Sequence, residues 1–126
     1  MIHDRHFTRE QANELVGRLA ALFSELTESR ARLTDAEVRE ALSDAAPGNG
    51  GGDPGREVGE AFVSFRRALV ELQEIGVVIR DLERGLVDFP SIRDGREVYL
   101  CWQRGEDEVA FWHELDTGFP GRRPLD

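Results

Sequence analysis

The chain has 126 residues, 40% of them hydrophobic and 33% charged, with a formal net charge of −9. That balance argues against non-specific binding to nucleic acid or to an anionic membrane, because a phosphate-rich partner selects a basic face. The length suits a single domain, residues 1–126, able to bury roughly two-thirds of its unfolded surface without a disulfide or metal staple.

All sixteen basic residues are arginine; this fits the same compositional bias as the Ala, Gly and Leu usage. Cys101 is the only cysteine, so no internal disulfide forms, as expected in a reducing cytosol. The first residues, MIHDRHFTRE, carry charges and no apolar signal-peptide core. No apolar run approaches the ~20 residues of a membrane span. The expected location is the cytoplasm.

Thr8-Arg9-Glu10-Gln11 has the form of a capping box, in which Thr8 and Gln11 satisfy each other's backbone N–H groups. Leu15, Leu19, Leu22 and Leu26 follow in steps of four, three and four, the seam of a helix that packs on another helix. A second capping-box pattern begins at Thr34. The loose phase of Leu26, Leu33 and Leu42 favours one long helix over residues 8–45. Residues 47–55, PGNGGGDPG, read as a flexible connector. A phosphate-binding loop is not supported, since no strand precedes the glycines and no Gly-Lys-Ser/Thr follows them.

The second helix is expected over residues 56–76, with Val58, Phe62, Phe65, Leu69 and Leu72 as a matching seam. The two helices form an antiparallel pair. Gly76 supplies a left-handed cap, with Val77 against Leu72 as in a Schellman motif.

Residues 77–113 then read as a β-meander of three to four strands. It lies within a stretch, 85–123, that holds six of the ten aromatic residues and both tryptophans. Val77–Ile79 is the first strand and Leu86–Pro90 the second, ending where proline removes a donor. Asp94-Gly95 is a strong two-residue hairpin signal. Arg96–Trp102 is the third strand and Glu108–His113 the fourth. Residues 114–126 form an irregular tail anchored by Phe119. The fold class is therefore α+β.

With turns at Asp94-Gly95 and Gly105-Glu106, Phe89 opposes Leu100, Leu100 opposes Phe111, and Val98 opposes His113. The two-residue period then places Val87, Phe89, Val98, Leu100, Trp102, Val109, Phe111 and His113 on the face toward the helices. Asp88, Tyr99, Cys101, Ala110 and Trp112 fall on the other face. Aromatics beside a charge mark a contact surface for a ligand or a second subunit. The candidate ligand-binding residues are Asp88, Arg96, Tyr99, Trp112 and His113.

No catalytic set emerges. Cys101 and His113 are placed on opposite faces, against a nucleophile–base pair. Asp88 and Glu97 lack the lysine that usually accompanies strand-based magnesium sites. His113 with Glu114 and Asp116 matches no metal signature. His3 and His6 are placed in a loose terminus. Arg96, Arg104, Arg122 and Arg123 are expected to pair with nearby carboxylates. No cofactor and no metal is assigned.

GLVDFP (85–90), DGREVYLCW (94–102), Gly105-Glu106, FWHELDTGFPGRRPL (111–125) and the FTREQAN opening (7–13) resemble the uncharacterised bacterial family called domain of unknown function 2203. The resemblance covers nearly the whole chain, with the glycine-rich connector where that family varies. It implies no activity and no catalytic residues. The expected function is a non-enzymatic dimerising or interaction module, a homodimer without nucleic-acid or membrane partners. The alternative is a small-molecule or divalent-metal binding domain, hydrolytic in one version, with its site on the meander. Whether the protein is an enzyme stays open.

Overall fold

The computed structural model describes residues 1–45 and 53–126. Two helices, α1 (Arg9–Ala45) and α2 (Asp53–Ile75), precede five strands: β1 (Val78–Asp81), β2 (Leu86–Arg93), β3 (Arg96–Gln103), β4 (Phe111–His113) and β5 (Arg123–Pro124). The strands form one antiparallel sheet in the order β1-β2-β3-β4-β5. The fold is α+β, a helical pair followed by a meander. No helix among the described residues is long and apolar enough to cross a membrane.

The described chain divides into two compact units, Ser24–Glu71 and Met1–Phe23 with Leu72–Asp126. In the first of these, α1 and α2 run antiparallel, as the cross-helix pairs Glu25–Arg67, Arg32–Glu60 and Arg39–Glu57 show. α1 continues through Thr34, whose hydroxyl donates back to the Arg30 carbonyl at 3.2 Å. Among the described residues of this unit, the buried positions are Leu26, Ser29, Ala61 and Ala68. Phe62, expected in the seam, is 55% exposed. The buried stripe of α2 starts one residue earlier, at Ala61, where a small side chain lets the helices approach closely. α2 itself begins at Asp53 rather than Arg56, since proline in a first turn forfeits no helical bond. Of the connector, residues 46–52 lie outside the described residues.

In the second unit the capping box forms as expected. Gln11 N–H donates to Thr8 Oγ1 (3.1 Å) and Thr8 N–H to Gln11 Oε1 (2.9 Å). Ala12, Leu19, Leu22 and Phe23 of α1 are fully buried. Phe23 meets Trp102 at 6.4 Å between ring centroids, and Phe7 stands edge-on to Phe89 at 5.3 Å. One face of the sheet thus packs on the opening turns of α1. Gly76 takes φ +97° at the end of α2, and Leu72 and Val77 are both buried.

Asp94 (φ +53°) and Gly95 (φ +76°) make the two-residue turn, and β2 pairs β3 as expected, Phe89 with Leu100 and Val87 with Trp102. β2 does not stop at Pro90 but runs to Arg93. The Pro90 carbonyl accepts from Phe7 N–H at 2.7 Å. The Pro90 nitrogen shares that side, away from β3, so its missing hydrogen removes no β2–β3 bond. The tail is not wholly irregular either. Arg123 and Pro124 pair with β4, and Phe119 lies under the guanidinium groups of Arg84 and Arg122.

The next turn departs from expectation by one residue. Glu106 N–H returns to the Gln103 carbonyl, which centres the turn on Arg104-Gly105. Trp102 Nε1–H donates to the Glu106 carbonyl and Gln103 N–H to the Glu106 side chain. The chain then leaves the sheet, and Val109 N–H is held by Asn13 Oδ1 at 2.6 Å. β4 rejoins at Phe111 with Leu100 opposite Trp112, Cys101 opposite Phe111, and Tyr99 opposite His113. A slip of one residue exchanges the faces of a strand. Trp112 therefore shares the face of Leu100, while Phe111 and His113 join Tyr99, Cys101 and Asp88 on the outer face. The separation of Cys101 from His113 read from the sequence is corrected accordingly.

Candidate metal centre

Asp88 on β2 pairs directly with Cys101 on β3. His113 on β4 stands two residues along from the partner of Cys101. Three neighbouring strands thus deliver a carboxylate, a thiol and an imidazole to one face. Their donor atoms all lie within 4.8 Å of one another. Each of the three residues is only 1% exposed.

His113 Nδ1–H donates to the Glu114 carbonyl at 2.7 Å, because a carbonyl oxygen only accepts. This directs Nε2 inward, 2.9 Å from Asp88 Oδ1. The other carboxylate oxygen, Oδ2, accepts from Arg80 Nε at 2.8 Å. Burial alone would lower the His113 pKa. Hydrogen bonds to Asp88, Cys101 and the Glu114 carbonyl outweigh burial and raise it to about 10. At neutral pH the ring is an imidazolium, and Asp88 lies between two cations.

Tyr99 extends the group. Its hydroxyl is 2.6 Å from His3 Nε2, its ring centroid is 5.5 Å from that of His113, and the Arg80 guanidinium lies 5.1 Å from its centroid. His3 and His6 are not in a loose terminus. Glu97 accepts from Ile2 N–H (2.8 Å), His3 N–H (3.0 Å) and His6 Nε2 (2.7 Å). Burial pushes the Glu97 carboxyl upward, but these bonds prevail and hold it at about 2.

Of the five candidate residues, Asp88, Tyr99 and His113 come together. Arg96 opens β3 and pairs with Glu114 at 2.9 Å, its side chain 62% exposed. Trp112 lies on the opposite face, with the guanidinium groups of Arg93 and Arg123 at 4.9 and 5.4 Å from its ring centroid. Cys101, placed on this face by the sequence but not among the five candidates, joins them, and Arg80 is the member the sequence reading missed. Reading Gly105 as the third residue of a four-residue turn was the available signal against the tight Gly105-Glu106 hairpin.

The model of a family described as an uncharacterized conserved protein, DUF2203, matches residues 5–125. The chain belongs to this DUF2203 family. No curated protein and no solved structure is significantly similar to it. The site in this DUF2203 member must therefore be read from its own chemistry. A thiolate, an imidazole nitrogen and a carboxylate oxygen are the donor types that hold zinc and related ions, at about 2.0–2.3 Å. Ligands at that radius in a tetrahedral arrangement stand about 3.5 Å apart, so small side-chain shifts would bring these three onto one ion. The outer contacts also fit, since a ligating histidine usually donates its second N–H to a carbonyl or carboxylate.

Proposed function

We propose that this protein is a transition-metal-binding domain, with Asp88, Cys101 and His113 as ligands from the chain. The observation that carries the reading is the convergence of three chemically different donors, each oriented by a further contact or strand pairing. Their deep burial favours a single ion over a polyatomic substrate reaching a Cys–His pair. Three protein ligands leave a fourth position, and an ion bound there would act as a Lewis acid toward a small molecule or water.

The test is titration of metal-stripped, reduced protein with Co²⁺ and Zn²⁺. One equivalent of Co²⁺ should bind with a thiolate-to-cobalt charge-transfer band, and Zn²⁺ should displace it. Cys101→Ser should lose the band, and Asp88→Asn should weaken binding by about 10–100-fold or more, as loss of even an outer-shell partner does. No saturable one-to-one binding of either ion would overturn the reading.

A second reading rests on a different observation. Phe62 and Val63 of α2 are 55% and 61% exposed, and Val70 is 36% exposed. Such a stripe supports an interaction module that pairs with a second copy of the chain. Light scattering should then report a dimer that Phe62→Glu dissociates. A monomer at micromolar concentration removes this reading without touching the metal site.

A further inference from the structure

Beyond the metal reading, the unit containing the sheet carries a cavity of about 330 Å³ beside the first turn of α1. It involves Ser91, Arg93 and Leu100, which share the sheet face opposite Asp88, Cys101 and His113. The two places are chemically separate.

The cavity's walls include Phe7, Leu100 and Leu125. Phe7 and Leu100 are 3% exposed and form the rigid floor of the pocket, while Leu125 and Ile92 supply its accessible apolar surface. Most polar groups at the cavity are already committed. Arg9 forks onto Asp126 at 2.8 and 3.2 Å and also donates to the Val109 carbonyl. His6 is held by Glu97. The Ser91 hydroxyl donates to the Phe7 carbonyl at 2.6 Å.

Two groups remain. Arg93 has its guanidinium 4.9 Å from the Trp112 ring centroid, and no carboxylate pairs with it among the described residues. Thr8 Oγ1 accepts from Gln11 N–H, and its own hydrogen goes to no acceptor among the described residues. Among the described residues, the pocket therefore combines apolar walls with one cation that stacks on Trp112 but has no carboxylate partner, and with one exposed hydroxyl donor at Thr8. We infer that it binds a small apolar monocarboxylate. Arg93 takes the carboxylate as a forked partner, Thr8 adds a hydrogen bond, and the hydrocarbon body lies against Leu125 and Ile92, with the buried Phe7 and Leu100 behind them. The volume is at the lower end of ligand pockets, which limits the body to a single ring or a short chain. Among the described residues lining the pocket, Arg93 is the guanidinium without a carboxylate partner, and its single charge matches a monoanion better than a phosphate dianion.

Benzoate and hexanoate are the probes, followed by two-dimensional NMR on the full chain, with inorganic phosphate and benzyl alcohol as comparisons. Saturable shifts at Thr8, Arg93, Leu100 and Leu125, with His113 unmoved, are expected for at least one carboxylate. Loss of a charge-assisted hydrogen bond in Arg93→Gln should weaken binding about tenfold or more. Arg93→Lys, which keeps the charge, should bind between wild type and Arg93→Gln. Phosphate and benzyl alcohol should each bind more weakly than the carboxylates. The inference is overturned by no saturable carboxylate binding, by equal affinity in Arg93→Gln, by shifts that map elsewhere, or by phosphate binding as well as benzoate. None of these outcomes bears on Co²⁺ binding at Cys101, so the two sites fail or stand independently.

Discussion

His113 and Asp88, brought from strands two apart in the sheet, are joined by a hydrogen bond of 2.9 Å inside the protein. The second ring nitrogen of His113 donates to the Glu114 carbonyl, so neither nitrogen accepts. Burial works against the charged ring, but the bonds to Asp88, Cys101 and Glu114 raise its pKa from 6.5 to about 10. Because the folded value lies above the unfolded one, this contribution to stability is complete below pH 6.5 and is lost as pH rises through about 10. Metal-free protein should therefore lose thermal stability between those values. NMR titration of His113 should give the high pKa, and Asp88→Asn should bring it down toward 6.5. Breaking a buried pair by removing one partner should also cost about 3–5 kcal/mol. An unchanged His113 titration in Asp88→Asn would contradict this account.

Glu97 ties the N-terminal segment to β3 by accepting from Ile2, His3 and His6. Burial raises its pKa, the three bonds lower it, and the net value falls from 4.5 to about 2. A depressed carboxylate contributes stability that is present above pH 4.5 and lost as pH falls through about 2. Glu97→Gln should flatten the acid dependence in that window. It should also speed hydrogen exchange at the Ile2 and His3 amides while leaving Phe23 protected. Unaltered exchange at both amides would show that the segment is held by something else.

Much of this architecture is legible in the sequence. The capping box follows from two side chains three residues apart, Thr8 and Gln11, and the cap at Gly76 and the Asp94-Gly95 turn follow from local backbone preference; each formed. The site was less readable because its assembly depends on the segment after Trp102. There the path is set by Glu106 folding back on Gln103 and Trp102 and by Asn13 capturing Val109. These are side-chain bonds between particular atoms, one of them reaching across 96 residues, and a two-residue period carries no trace of them. A shift of one position there moved His113 from the helix-facing side to Cys101 and moved Trp112 the other way. Arg80 was hidden for a similar reason: it reaches Asp88 past an irregular pairing between Ile79 and Asp81.

Phe23 and Trp102 are 0% and 1% exposed and make ring contact at 6.4 Å. Removing the Phe23 ring leaves a void that a close-packed interior fills only in part. Phe23→Ala should destabilise the protein by about 3–5 kcal/mol in denaturant unfolding. Phe23→Leu, which retains most of the volume, should cost less than half as much. The intrinsic fluorescence of Trp102 should shift to longer wavelength in the alanine variant, as water gains access to the indole. A mild loss with unshifted fluorescence would mean that the neighbouring side chains collapse into the space.

Gly85 and Gly95 separate two reasons for a glycine in this sheet. Both have positive φ, +67° and +76°. At Gly95 an added Cβ meets nothing within 4 Å, so alanine there bears only the left-handed backbone penalty of roughly 1–2 kcal/mol. At Gly85 the same Cβ would lie 2.5 Å from the Arg104 Cβ. The two backbones cannot easily part, because Arg104 N–H donates to the Gly85 carbonyl at 2.9 Å. Gly85→Ala should therefore destabilise by more than Gly95→Ala, by about 2 kcal/mol beyond it if the backbone shift resembles that of an overpacked core. The Arg104 shift moves the base of β3 nearest Cys101, so Gly85→Ala should also weaken Co²⁺ binding, whereas Gly95→Ala, at the far end of the hairpin, should not. Equal losses for the two variants, in stability and in metal affinity, would show that the close approach of Gly85 to Arg104 is not a constraint in solution.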